Sequence, residues 1–252
     1  MEALSFKDFK AQFIIDCKRE SACEPEFKKV LASTNWNELM LVIKANIEWC
    51  VIHKVITLDI LAKVPDKELV AVDIYLNKMN LELTSKKVEL FNSTATLREN
   101  STATLWENST ATLWGNSTAT LRENSTATLW GNSTATLWEN STATLRENST
   151  ATLWENSTAT LRENSTATLW GNSTATLWEN STATLRGNST ATLWENSTAT
   201  LRENSTATLR GNSYIDIYQY GKAVSINDNS ICRERSTGKI YLSNNKLEII
   251  YV

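Results

Sequence analysis

Fifteen positions, eight residues apart, carry nothing but tryptophan or arginine: Arg98, Trp106, Trp114, Arg122, Trp130, Trp138, Arg146, Trp154, Arg162, Trp170, Trp178, Arg186, Trp194, Arg202 and Arg210. Both side chains present a flat face, one electron-rich and one cationic. Such faces stack on each other, on sugar rings and on bases, and both residues dominate protein–protein hot spots. A column of them is a candidate outward binding surface for a partner protein, a glycan or a single-stranded nucleic acid. A plainer reading stands beside it. Neighbours in the column stabilise one another, and the Trp/Arg choice drifts in a duplicated array, because the two codons can differ by one base.

Residues for other chemistry are sparse. His53 is the single histidine and has no evident triad partner. The chain holds no Gly-rich phosphate loop, no Gly-Lys-Ser/Thr step and no Gly-x-Ser-x-Gly. Cys17, Cys23, Cys50 and Cys232 form no Cys-x-x-Cys pair, so neither a metal nor a cofactor is expected, and they read as buried free thiols. The expectation is a protein that is not an enzyme. Lys and Arg number 13, 7 and 5 in residues 1–91, 92–211 and 212–252, against 14, 10 and 4 Asp and Glu. No region is basic enough for a broad phosphate-binding face, so nucleic acid is not the expected partner. The chain begins without a basic segment followed by an apolar run, and no stretch approaches ~18 apolar residues. That leads to the expectation of an intracellular protein with no membrane partner.

The element that positions the columns is an octapeptide. From Asn92 to Gly211 the chain reads Asn-Ser-Thr-Ala-Thr-Leu, then Arg or Trp, then Glu or Gly, fifteen times without a break. A period of eight suits neither a 3.6-residue helix nor a heptad, but it suits a short strand plus a tight turn. In Ser93–Arg98, Ser, Ala and Leu share one face, and Thr, Thr and Arg share the other. The first set should point inward and the second outward. β-Branched Thr favours an extended backbone, and the Glu/Gly-Asn step supplies residues that tolerate positive φ. The Asn-Ser-Thr triplet matches a glycosylation acceptor in every copy, but the turn accounts for its Asn. One copy buries nothing alone, whereas stacked copies bury a continuous core.

The spacing favours a two-sided coil of two eight-residue strands, which makes about seven coils at roughly 4.8 Å each. A three-sided coil of three strands is the alternative. It would align Trp106, Trp130, Trp154 and Trp178 in one column.

The flanks complete the organisation: a mostly β chain with a small all-α N-terminal domain. Residues 1–65 read as a helical domain. Ser5 with Asp8 opens a first helix bearing Phe6, Phe9, Phe13, Ile14 and Cys17, and Pro25 starts a second through about Leu31. Asn35 with Glu38 caps a third running through Trp36, Leu39, Met40, Ile43, Ile47, Cys50 and Val51, and Thr57 caps a fourth that stops at Pro65. Residues 66–91 alternate as lead-in strands from Glu68. Residues 212–252 are degenerate coils and a cap, with Ile215 and Ile217 replacing the small core residues.

The repeat resembles a group of bacterial and phage-encoded octapeptides of the form N-A-T-V-x-A-Y/W-D/G. It matches at the turn Asn, the small residue, the Thr, the small apolar residue, the aromatic and the closing Gly or Glu. The stretch Glu26–Ile56 is similar to a helical region preceding such arrays in Bacteroidales-type proteins. The resemblance implies a β-solenoid of bacterial or phage origin in the cytoplasm, and no particular activity. The Thr94-Ala95-Thr96 step and its copies resemble more loosely the octapeptides of ice-nucleation proteins, which lack a bulky Trp or Arg beside the threonines. Three functions are therefore expected in order. First is a structural scaffold whose helical head self-associates or holds a protein partner. Second is a glycan or single-strand binder using the columns, and third is an ice binder using the threonines.

Overall fold

The computed structural model describes residues 3–218, 220–243 and 247–251. It divides into two compact units, residues 1–78 with 88–93 and residues 79–87 with 94–252.

The described residues of the first unit hold six helices: α1 (Phe6–Arg19), α2 (Glu24–Ala32), α3 (Trp36–Ala45), α4 (Ile47–Ile52), α5 (Leu58–Leu61) and α6 (Asp66–Ala71). The sequence-read caps are in place. Ser5 accepts from the Asp8 N–H, Asn35 from that of Glu38, and Thr57 from that of Ile60. Each satisfies an orphan donor of the first turn, worth about 1 kcal/mol. Phe9, Phe13 and Cys17 from α1 are buried, as are Leu39, Met40 and Ile43 from α3. Trp36 packs on Phe9 with ring centroids 5.1 Å apart.

Three expectations from the sequence are corrected by the structure. The third helix is not continuous. It breaks at Asn46, whose side-chain amide donates to the Val42 carbonyl and to Glu26 Oε2, drawing the backbone away from the helical path. The lead-in region does not begin as a strand. Residues 66–71 are α6, started after Pro65 with Asp66 and Glu68 in the first turn. Leu69 and Val72 are buried three residues apart while Val70 is 39% exposed, a helical spacing that short-range alternation conceals. Cys23 is exposed at the N-cap of α2, whereas Cys17, Cys50 and Cys232 are buried. Burial pushes the Cys17 thiol up to about 11 and those of Cys50 and Cys232 up to about 12. The first unit also carries a parallel pair, β1 (Ile74–Leu76) with β3 (Lys87–Phe91).

The second unit is a two-sided β-solenoid. After β2 (Leu81–Thr84), β4 (Thr94–Arg98) and β5 (Thr102–Trp106), each of the next thirteen repeats gives one Thr-Ala-Thr-Leu strand, β6 (Thr110–Leu113) to β18 (Thr206–Leu209). Odd and even repeats fall in different sheets, and paired residues lie sixteen apart: Thr142 opposite Thr158, Leu153 opposite Leu169. The three-sided alternative is thereby excluded, and Trp106, Trp130, Trp154 and Trp178 do not share a column. Ala and Leu are buried in every repeat, and Leu97 to Leu209 are all inaccessible to solvent. Each buried Leu contributes about 1.5–3 kcal/mol relative to exposure.

The turns explain why Asn and Glu or Gly recur. Glu123 (φ 51°) and Asn124 (φ 64°) both take left-handed conformations, as do Gly131 (φ 55°) and Asn132 (φ 60°). The Ser125 N–H reaches back to the Arg122 carbonyl at 3.3 Å, closing a turn with the φ signs of type I′. The ladder continues through the corner, where the Asn116 N–H donates to the Gly131 carbonyl one coil on, at 3.2 Å. Gly211 and Gly187 are the tightest of these corners, since a Cβ would meet the Glu195 backbone nitrogen at 3.0 Å in the first and the Gly171 carbonyl oxygen at 3.1 Å in the second.

Each Ser of the repeat is buried at the corner, and most donate Oγ–H to the carbonyl three residues back, as Ser141 does to Trp138 at 2.6 Å. Ser165, Ser181 and Ser197 have a buried Oγ with no hydrogen-bond partner. Ser141→Ala is therefore expected to cost about 1 kcal/mol, whereas Ser181→Ala is expected to be neutral within a few tenths or stabilising. Urea unfolding of the two variants side by side checks the difference.

Past the array, β19 (Tyr214–Ile217) keeps the sixteen-residue offset, with Ile215 and Ile217 buried as expected. β20 (Lys222–Ile226) carries one extra residue, because Ala207 faces Ala223 but Thr208 faces Ser225. The surplus Val224 stands 64% exposed. β21 (Ile231–Glu234) is still parallel, but β22 (Lys239–Ser243) and β23 (Leu247–Tyr251) turn antiparallel. The expected last coil is thus a meander. Part of the stretch that suggested it, Asn244–Lys246 and Val252, lies outside the described residues. Asp216 replaces an outward Thr and receives both Arg235 Nε (2.9 Å) and Nη2 (2.7 Å), a bidentate lock on the terminal coils.

Candidate functional site

The sixteen-residue register sorts the fifteen Trp and Arg positions into two ladders. One reads Arg98, Trp114, Trp130, Arg146, Arg162, Trp178, Trp194, Arg210, following strands of the β4 sheet. The other reads Trp106, Arg122, Trp138, Trp154, Trp170, Arg186, Arg202, following strands of the β5 sheet. Each residue directly follows or ends its strand, and from Trp114 to Arg210 each has its N–H bonded to a Leu carbonyl one coil back, as Trp130 to Leu113 at 2.9 Å. The backbone ladder therefore sets the side-chain spacing.

Adjacent indoles stack in parallel. Trp114 and Trp130 lie 5.0 Å apart, Trp138 and Trp154 5.2 Å, Trp154 and Trp170 5.0 Å, and Trp178 and Trp194 4.8 Å, with ring planes within 6°. Guanidinium groups cover the ends of these stacks. Arg146 sits 4.8 Å over Trp130, Arg186 4.6 Å over Trp170, and Arg210 4.7 Å over Trp194. Arg122 lies between Trp106 and Trp138 at 5.3 and 5.6 Å, and Arg162 faces Trp178 at 5.7 Å. Each such pair is worth about 0.5–1 kcal/mol at an exposed site. Arg98 instead pairs with Glu82 at 3.4 Å.

Two details differ from the sequence reading. Trp106 belongs to the outward ladder by register but is 1% exposed, so it is not a surface residue. Tyr218 extends the second ladder beyond the repeats, with Arg202 4.7 Å over its ring. Its place sixteen residues after Arg202 is readable in the sequence once the coil length is fixed. Most indoles are half-buried because their faces lie against neighbours, and a ligand would meet ring edges. Trp114 alone among the repeat tryptophans is classed with the exposed large hydrophobic residues.

Threonines form the remaining outward rows. Thr174 and Thr190 hydroxyls lie 3.2 Å apart, as do those of Thr182 and Thr198. At the turns, four glutamates stack in consecutive coils, Glu107, Glu123, Glu139 and Glu155. Burial, then the neighbouring Glu139, push the Glu123 carboxyl above its usual range, against the lowering influence of Arg122. The sign is clear. The fold favours the protonated form, so this contribution is present at low pH and is lost as pH rises through the folded pKa. Glu123→Gln is expected to raise the Tm at pH 7 and to leave it unchanged near pH 3. Asp216 runs the other way. Burial raises it, but the bonds from Arg235 and Tyr214 prevail and hold it low, so its contribution is lost as pH falls. Asp216→Asn is expected to lower the Tm at pH 7, with the loss shrinking in acid. Calorimetry of both variants across pH checks the opposite slopes.

His53 follows α4 and packs on Trp49, centroids 4.7 Å apart. Among the described residues, no group of three or more His, Cys, Asp or Glu is placed to hold a metal ion. Among the same residues no helix is long and apolar enough to cross a membrane. Comparison with family models, curated proteins and solved structures finds no match to this chain.

Proposed function

We propose that this protein is a non-catalytic scaffold: a repeat solenoid that displays a regular surface, and a helical unit that self-associates or holds a protein partner. The observation that carries the reading is where large apolar side chains remain uncovered. In the helical unit Ile15 is 57% exposed, Ile52 58%, Leu41 50% and Leu31 48%. Across fifteen repeats only Trp114 joins them, because the ladders cover their own faces. Uncovered apolar groups are what a protein interface recruits. The test is light scattering of the full chain, with recovery of bound protein from host lysate, for wild type and Ile15→Lys/Ile52→Lys. Self-association or a retained partner, lost in the double variant with circular dichroism unchanged, supports the reading. A monomeric wild type that retains nothing rejects it.

A second reading takes the ladders as a glycan or single-strand binding surface. The continuous Arg/Trp order favours it, while the stacked indole faces restrict it to edge and cation contacts. Tryptophan fluorescence titrated with a ligand panel tests it, and an unchanged spectrum rejects it. Ice binding has the in-register threonine rows in its favour, and an absence of thermal hysteresis would remove it.

A further inference from the structure

Two steps in the ladders place arginine directly on arginine: Arg146 with Arg162, and Arg186 with Arg202. Consecutive coils lie about 4.8 Å apart, so each step brings two permanent positive charges together. Elsewhere in these ladders an Arg has an aromatic neighbour on at least one side and no second cation beside it. At both steps the order is the same, aromatic–Arg–Arg–aromatic: Trp130, Arg146, Arg162, Trp178 on one ladder and Trp170, Arg186, Arg202, Tyr218 on the other. Each guanidinium stacks on the ring beyond it, which leaves the centre of the step without an acceptor.

The hydrogen-bond pattern agrees. Nε of Arg146 and Nε of Arg186 are buried with no hydrogen-bond partner, and they are the only two arginine atoms so placed among the described residues. None of the four arginines forms an ion pair among the described residues, although Glu147, Glu163 and Glu203 follow three of them in sequence. Glu203 is otherwise engaged, accepting the Gly187 N–H at 2.6 Å. At the second step the surface opens into a cleft of about 430 Å³ lined by Arg186, Arg202, Glu203, Tyr218 and Tyr220, with Tyr220 80% exposed.

We infer that each Arg–Arg step is a binding site for a dianionic oxyanion, a phosphate group carried free or as a monoester. Two guanidinium groups match two negative charges, and their outer Nη donors supply the planar forks that phosphate oxygens accept. A carboxylate neutralises only one of the pair. The sites are local and number two, one on each ladder, so they do not amount to a broad nucleic-acid face. The inference stands apart from the helical unit's role, because it uses none of those residues.

Isothermal titration of the full-length protein at low ionic strength and pH 8 tests it, with inorganic phosphate, phenyl phosphate and acetate as probes. Phosphate is expected to bind at two sites per chain and at least about 10-fold more tightly than acetate. Arg162→Gln and Arg202→Gln should each remove one site, and the double variant both. These are surface substitutions, and unchanged circular dichroism confirms the fold. As a second readout, phosphate should raise the wild-type Tm above an ionic-strength-matched chloride control, and not that of the double variant. Tighter phenyl phosphate than inorganic phosphate assigns the sites to an ester, and the reverse order assigns them to the free ion. No saturable binding of phosphate or phenyl phosphate below about 20 mM, binding unchanged in the double variant, or acetate bound as tightly overturns the inference.

Discussion

Leu153→Ala, in the middle of the array, is expected to lower the unfolding free energy by about 4–5 kcal/mol. Leu153 is inaccessible to solvent and pairs in register with Leu137 and Leu169 in the coils on either side. The remaining inward residues are Ser and Ala, which cannot lean in to fill the space a leucine leaves. The site therefore stands at the poorly relaxing end of the range for core truncations. Thr150→Ala, on the exposed face of the same strand, should cost less than about 0.5 kcal/mol. Equilibrium urea unfolding of the pair checks the contrast. Equal losses would mean that the inward face has been misassigned.

A one-residue insertion should do more damage still. Adding Ala between Thr160 and Leu161 moves Leu161 onto the solvent face and turns the residues before or after it against their partners. Strand Thr158–Leu161 has neighbours on both sides, Thr142–Leu145 and Thr174–Leu177. A slip there breaks two ladders at once and exposes leucine in a core that has little else. The expected loss exceeds about 5 kcal/mol, read as a collapsed or biphasic melt by far-ultraviolet circular dichroism. The chain itself provides the control. β20 already accommodates one surplus residue, Val224, as a bulge. It can do so because β20 is the last strand of its ten-stranded sheet and disturbs one neighbour only. A second insertion beside Val224 should therefore cost about 1 kcal/mol.

Much of this fold was legible in eight residues, because strand alternation and turn residues are local and the repeat states them fifteen times. The inward Ser, Ala and Leu, the left-handed Asn and the outward Trp and Arg all follow from that pattern. Helix caps at Ser5, Asn35 and Thr57 were readable for the same reason. What escaped depends on neighbours distant in sequence. Val70, Val72, Ile74 and Leu76 alternate well enough for a strand, and only packing shows that Leu69 and Val72 make a helical face. Asn46 fits a helix by pattern and leaves it because Glu26 and the Val42 carbonyl hold its amide. For the candidate site, the residues were visible but not their grouping. Whether an Arg meets a Trp or another Arg depends on the residue sixteen positions away, so the Arg–Arg steps and the role of Tyr218 emerge only once the coil length is known. The burial of Trp106 has no signal in a repeat whose copies are otherwise alike.

The account rests on coils of sixteen residues, and engineered cross-links measure that length directly. In a Cys23→Ser background, Thr150→Cys/Thr166→Cys joins outward positions that face each other across adjacent coils. Thr150→Cys/Thr174→Cys separates them by twenty-four residues and places them in different sheets. A disulfide needs Cα atoms within about 7 Å. Mild oxidation followed by peptide mapping should give an intramolecular bond in the first variant and none in the second. The opposite pattern would contradict the two-sided coil, the order of both ladders and the Arg–Arg steps together.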